Sequence, residues 1–159
     1  MATIVSEFGF LPDGRRASTY RLQNRRGSWL TLCDYGASIL EVGVPDVNGV
    51  RANCALRLPD FNSYLHHDFY CGATIGRVAG RICNAQIEIE GQAYALSANE
   101  GIHHLHGGLP SLSHRLWRVE QPDEAANQIG FTLDSPDGDA GYPGHVKIEV
   151  VFTLTEADC

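Results

Sequence analysis

The stretch Asn99-Glu-Gly-Ile-His-His-Leu-His-Gly-Gly108 places three histidines in four positions and closes on a glycine pair. Histidine changes charge near neutral pH, donates and accepts hydrogen bonds, and ligates metals. The glycines let the backbone approach a ligand closely. Three kinds of chemistry fit this spacing. On a strand, His104 and His106 would face the same way and, reinforced by His103, would suit a metal, as in a cupin-like protein. Such a site wants a further carboxylate or histidine, and the next acidic residue along the chain is Glu120. A purely structural cluster is the second possibility. The third is contact with a polar small molecule by at least His106, with Gly107 and Gly108 making backbone room beside it, and this is the reading we carry forward.

A second Gly/Arg-rich stretch, Gly72-Ala-Thr-Ile-Gly-Arg-Val-Ala-Gly-Arg-Ile82, lies shortly upstream. Arg77 and Arg81 each offer several donors in a planar fork that can hold hydroxyl or carboxylate oxygens. The alternative is an internal ion pair that ties strands together. Gly76 and Gly80 suggest a phosphate-cradling loop, but no Lys-Ser/Thr helix start follows, which excludes a P-loop. Asp134-Ser-Pro-Asp-Gly-Asp139 has oxygen ligands at calcium-like intervals but lacks the terminal glutamate, so a turn held by Asx hydrogen bonds is expected instead.

The elements that must position these residues read almost entirely as strands. Ala17–Gln23 and Ser28–Cys33 are expected to pair across the Asn24–Gly27 loop. Ser38–Val44, Asn53–Leu58, Leu116–Gln121 and Gln128–Asp134 are further strands, and Gln86–Leu96 is a hairpin turning at Gly91. Val146, Ile148, Val150, Phe152 and Leu154 share one face of a final strand. Pro59–His67 alone resembles a helical turn. Many short antiparallel strands with Gly/Pro turns predict an all-β fold, a sandwich or a barrel. The apolar final strand needs a neighbour that nothing after it supplies.

The chain has 159 residues and a net charge of -7, with 43% hydrophobic and 19% charged residues. That composition fits a folded domain with a substantial core. Basic residues do not cluster, so no nucleic-acid or anionic-membrane partner is expected. No apolar run has the length of a membrane span, and the first residues lack the pattern of a signal peptide. Cys33, Cys54, Cys71, Cys83 and Cys159 form no CxxC pair, and several sit in apolar runs, so buried free thiols in a reducing cytoplasm are expected rather than disulfides or zinc.

Taken together, the motifs resemble the aldose 1-epimerase (galactose mutarotase) family, and they occur in its order. Tyr35-Gly-Ala37 and Val44-Pro-Asp46 with Gly49 come first, then Tyr64, Gly72-Ala-Thr-Ile-Gly-Arg77 and Ala79-Gly-Arg-Ile82. Asn99, Leu105-His-Gly-Gly108, Trp117, and Ser135-Pro-Asp-Gly138 through Gly141-Tyr-Pro-Gly144 complete the series. The resemblance covers nearly all of residues 1–159 and corresponds to the N-terminal half of the family. The chain is therefore expected to be one mutarotase-type antiparallel β-sandwich domain, the N-terminal portion of a longer one.

The resemblance implies interconversion of the α and β anomers of free aldoses such as glucose and galactose, with no cofactor and no metal. A base takes the proton of the anomeric hydroxyl while an acid protonates the ring oxygen; the ring opens, the aldehyde rotates, and it recloses on either face. By motif position, Arg81 is the arginine that binds sugar hydroxyls, and His106 is the supporting catalytic histidine on the ring-oxygen side. Gly80 takes a sugar-contact position at which the family often carries asparagine. Ile102-His103 and Leu56-Arg57 are further departures, from Pro-Asn and Leu-Gly. The family's principal acid, a histidine in an Asn-His-x-Tyr-Phe-type motif, its catalytic glutamate and its sugar-binding aspartate have no counterpart here; His114, His145 and Glu120 fit no such motif. A partial site, a non-catalytic carbohydrate-binding module and self-association through the open final strand are the expectations that follow.

Overall fold

The alternating apolar runs form the strands of a computed structural model that describes residues 3–66 and 69–157. β1 (Ile4–Phe10), β2 (Arg16–Gln23), β3 (Trp29–Cys33), β4 (Ser38–Pro45) and β5 (Arg51–Asn53) form a five-stranded sheet in chain order. Asn24 closes the β2–β3 turn, its side-chain oxygen accepting the Ser28 N–H at 2.9 Å. That register sets Leu22 opposite Leu30 and Tyr20 opposite Leu32, which puts all four on one face. On the other side of the sheet lies α1 (Phe61–Leu65), started by Asp60, which accepts the Ser63 N–H at 2.8 Å. Its buried Phe61 and Tyr64 pack with Phe8, Tyr35 and Leu40.

Next come β6 (Arg81–Ile82), β7 (Gln86–Ile89), β8 (Gln92–Ala95) and β9 (His104–Leu105). β7 and β8 form the expected hairpin, and β6 pairs with β9. β10 (Arg118–Val119), β11 (Gln128–Ser135) and β12 (Val146–Thr153) make a three-stranded antiparallel sheet. Ile129, Phe131 and Leu133 of β11 lie opposite Phe152, Val150 and Ile148 of β12. This face meets Leu22, Leu30 and Leu32 in one apolar layer, with Tyr20 edge-on to Phe131 at 5.8 Å between centroids. Two antiparallel sheets sharing a core make a β-sandwich. Each of its large, fully buried apolar side chains, Phe131 and Leu32 among them, contributes about 1.5–3 kcal/mol of transfer free energy. β12 is an edge strand, and its Val146 and Val151 remain 40% and 47% exposed. Among the described residues no helix is long and apolar enough to cross a membrane.

The structure corrects four expectations. The strand expected over Asn53–Leu58 stops at Asn53, whose side-chain oxygen accepts the N–H groups of Val42 and Ala55 and turns the chain out of the sheet. Leu116–Gln121 shrinks to Arg118–Val119, with Leu116 forming an isolated bridge to Tyr35. β1 appears where no strand was expected, because its residues are mostly exposed and carry little alternation. Of the cysteines, Cys33, Cys54, Cys71 and Cys83 are free, but only Cys33 is buried and both Cys54 and Cys83 are exposed; Cys159 lies outside the described residues. His67, at the end of the expected helical turn, lies outside them too.

Candidate functional site

The histidine stretch is a short strand followed by a forced turn. β9 ends at Leu105, and His106, Gly107 and Gly108 then take φ values of 51°, 85° and 75°. A side chain is uncomfortable in this left-handed region, and the two glycines are required there for a second reason. A Cβ on Gly107 would overlap the Gly76 carbonyl, and one on Gly108 would overlap the His104 ring and the Ser97 hydroxyl. The turn destroys the alternation that would have aimed His104 and His106 the same way.

The three histidines consequently do different things. His104 is fully buried. Its Nδ1–H donates to the Ser97 carbonyl at 2.7 Å and its Nε2 accepts the Tyr142 hydroxyl at 2.7 Å, so both nitrogens are occupied. His103 accepts the Asn84 N–H on Nδ1 at 3.1 Å. His106 accepts the Gly80 N–H on Nδ1 at 3.1 Å, while its own N–H donates to the Gly80 carbonyl at 3.0 Å. Among the described residues no group of three His, Cys, Asp or Glu side chains could hold a metal ion. The alternative of a metal at His104-x-His106 finds no support here, because both nitrogens of His104 are already hydrogen-bonded to Ser97 and Tyr142.

The paired loop places the arginines apart as well. Arg77 is internal: it donates to the Ser135 hydroxyl at 3.0 Å and to the carbonyls of Ser135, Pro136 and Pro143 at 2.8–2.9 Å. It thereby ties Ser135–Gly144 to the core with four of its five N–H donors. That segment is no calcium loop, since Asp137 accepts the Gly144 N–H and Asp139 is held by Ser135 and Arg115. Arg81 is exposed and lies opposite Leu105 in the β6–β9 pair, next to His106. Its guanidinium grips Glu100 with two bonds, Nε to Oε2 at 2.5 Å and Nη2 to Oε1 at 2.7 Å. Those hydrogen bonds hold the Glu100 carboxyl below the usual glutamate range.

Around these residues lies an open cleft of about 490 Å³, within the size range of small-molecule sites. Leu65, Tyr70, Asn99, Glu100, Leu105 and His114 contribute to its lining. Asn99 is clamped to Leu105, donating to its carbonyl at 2.9 Å and accepting its N–H at 2.7 Å. None of His106, Arg81 and Gly80 lines this cleft directly: His106 adjoins it through its ring contact with Tyr70, 4.7 Å between centroids, and Arg81 through Glu100. Gly80 holds His106, and a Cβ built on it would meet nothing within 4 Å. Sequence reasoning missed Tyr70, Glu100 and His114. The position of Glu100 inside the histidine stretch was the available signal for it; the other two reach the cleft through folding alone.

Comparison with known proteins bears on the family and the fold. A profile of the aldose 1-epimerase family matches residues 18–159. The chain is 40% identical over 144 residues to an aldose 1-epimerase of Haemophilus influenzae, a match covering 91% of this chain and 41% of that protein. It is 34% identical to a human galactose mutarotase over 97% of this chain and 44% of that one. Among solved structures, an aldose epimerase homologue from C. elegans superposes with a TM-score of 0.81 at 30% identity, covering 88% of this chain and 42% of the other. A galactose 1-epimerase from Lactobacillus acidophilus gives 0.82 at 25% identity, covering 96% and 44%. The chain thus spans less than half the length of the relatives it matches. From its ordered motifs, its sandwich of antiparallel sheets and these matches, the chain belongs to the aldose 1-epimerase family.

Proposed function

We propose that these residues form the sugar-holding part of a mutarotase site, with His106 on the ring-oxygen side of a bound aldose and Arg81 directed to its hydroxyls. The observation that carries the reading is the double hydrogen bond between Gly80 and His106. With Nδ1 committed to accepting the Gly80 N–H, the proton of a neutral His106 resides on Nε2. That nitrogen is then a donor, as needed beside a ring oxygen that gains a proton on opening. Arg81, bound to Glu100 in the resting state, has further N–H groups for hydroxyl oxygens. Gly80 contributes backbone and leaves space at the position where a side-chain amide would reach the sugar.

No Asn-His-x-Tyr-Phe-type motif occurs in the 159 residues. We accordingly read the chain as holding a partial site that binds aldose and turns it over slowly or not at all. This places it next to the second reading, a non-catalytic carbohydrate-binding module. No cofactor and no nucleic-acid partner belong to either reading.

Polarimetry tests the partial-site reading. Freshly dissolved α-galactose or α-glucose is followed with the protein, against spontaneous mutarotation and a His106→Ala control. A rate equal to background, with galactose binding detected separately, is the expected result. A rate well above background that vanishes in the variant shows a complete acid–base pair in this chain or its oligomer, and overturns the partial-site reading.

A further inference from the structure

Two imidazoles that the proposed reaction does not use line the cleft, the exposed His66 and the more enclosed His114. His114 ends the short 3-10 turn Leu112–His114 and lines the cleft alongside Tyr70, Asn99 and Glu100. Its ring is wedged edge-on between Tyr35, at 6.3 Å and 78°, and Tyr70, at 5.7 Å and 70°. Tyr70 in turn meets His106, so four rings stand in a row across the site: Tyr35, His114, Tyr70 and His106. Packing of this kind leaves an imidazole little rotational freedom.

The two nitrogens of His114 have different surroundings. Nδ1 is enclosed by protein and has no hydrogen-bond partner. Either role is costly without a partner, but orphaned buried N–H groups are rarer in folded proteins than under-satisfied acceptors. The favoured neutral tautomer therefore carries its proton on Nε2. Nε2 is not enclosed in this way, and no hydrogen bond satisfies it among the described residues. A packed ring with its one available donor on the open side is suited to a polar ligand.

We propose that His114 is a second sugar-contacting imidazole of this cleft, donating from Nε2 to a hydroxyl oxygen of the bound aldose. The inference rests on the mutarotase reading of the site and extends it to a specificity-determining residue. His106 faces the ring oxygen at one end of the row of rings. His114, two ring contacts away beyond Tyr70, serves a hydroxyl on a different part of the pyranose. The Leu65 and Leu105 side chains supply apolar surface for the sugar's C–H groups, and Asn99 and Glu100 supply further polar positions.

Long-range ¹H–¹⁵N correlation spectra of the imidazoles, recorded on the 159-residue protein with increasing galactose, test this. The expected result is an Nε2–H pattern for His114, with galactose shifting the Nε2 resonances of both His114 and His106. His114→Phe keeps a ring between Tyr35 and Tyr70 but removes the donor, and should weaken galactose binding about tenfold while the His106 response persists. An Nδ1–H pattern for His114, or unchanged affinity in His114→Phe with His106 still responding, overturns this inference and leaves the mutarotase reading intact. Failure of galactose to perturb either histidine overturns both. The tautomer and titration are read on the unaltered protein, so an unstable variant does not prevent the test.

Discussion

The Gly80 N–H donates to Nδ1 of His106 at 3.1 Å, and the His106 N–H donates back to the Gly80 carbonyl at 3.0 Å. This exchange secures a histidine whose φ of 51° would otherwise cost roughly 1–2 kcal/mol. Strain of this sort persists only where surrounding structure over-determines it. His106→Ala removes the acceptor for Gly80 and the contact with Tyr70, and should lower stability by about 1 kcal/mol while abolishing galactose binding. Gly80→Asn should be tolerated despite the φ of 84°, because open space surrounds the position and asparagine is among the residues that accept left-handed backbone. Thermal melts and galactose titrations of the two variants check both statements; a loss of folding in Gly80→Asn would contradict the second.

His104 should behave as a structural residue. His104→Phe leaves the Ser97 carbonyl and the Tyr142 hydroxyl without partners inside the protein, at a cost of about 2–4 kcal/mol. Added zinc should leave the melting temperature of the unaltered protein unchanged. Stabilisation by zinc that disappears in His104→Phe would revive the metal reading.

Asp34 is buried beside Cys33, accepting the Ser18 N–H at 2.8 Å and the Tyr20 hydroxyl at 3.3 Å. Burial raises its carboxyl above the ordinary range, and these hydrogen bonds offset only part of that shift. The folded state therefore takes up a proton at higher pH than the unfolded chain. The contribution of Asp34 to stability is largest below the unfolded value and is lost as pH rises through the folded one. Asp34→Asn keeps an acceptor for Ser18 and removes the buried charge, so denaturant titration at pH 7 should show little loss. Asp34→Ala should cost about 1–3 kcal/mol. A large loss in both would mean that the charge itself is required.

Glu100 has the opposite sign. The Arg81 guanidinium lowers its carboxyl relative to the usual value of 4.5, so Glu100 stays ionised as pH falls through that value and the pair is lost only below it. The ¹³C resonance of the Glu100 carboxylate should titrate below 4.5 in the unaltered protein and return to the ordinary glutamate range in Arg81→Ala. Identical titration in the two proteins would show that the bidentate grip does not persist in solution.

The exposed edge of β12 should support self-association. Its inward-facing Val146 and Ile148 border an apolar cleft of about 340 Å³ together with Leu112 and Ile75. Sedimentation velocity should show a concentration-dependent rise in mass, reduced in Val146→Lys, because a charge at an open sheet edge opposes pairing. A monomer at all concentrations would remove this expectation.

Much of the sandwich was legible in the residue pattern. β2, β3, β4, β11 and β12 alternate or run apolar between strong turns, and each lies within a residue or two of its expected bounds. β1 was not legible because an edge strand that buries little needs no hydrophobic rhythm. Asn53 ended its strand through hydrogen bonds to Val42 and Ala55, a side-chain choice that periodicity does not record.

The sequence by itself determined the class of fold and the family, because these depend on local alternation, turn residues and ordered motifs. Only the tertiary structure decided which imidazole does what. His104, His106 and His114 are chemically identical, and their roles diverge through partners distant along the chain: Ser97 and Tyr142 for the first, Gly80 for the second, Tyr35 and Tyr70 for the third. Arg77 and Arg81 separate by the same logic, one enclosed by the carbonyls of Ser135–Pro143 and the other left at the surface with Glu100. A side chain's type sets which hydrogen bonds it can make; packing sets which of them remain available to a ligand.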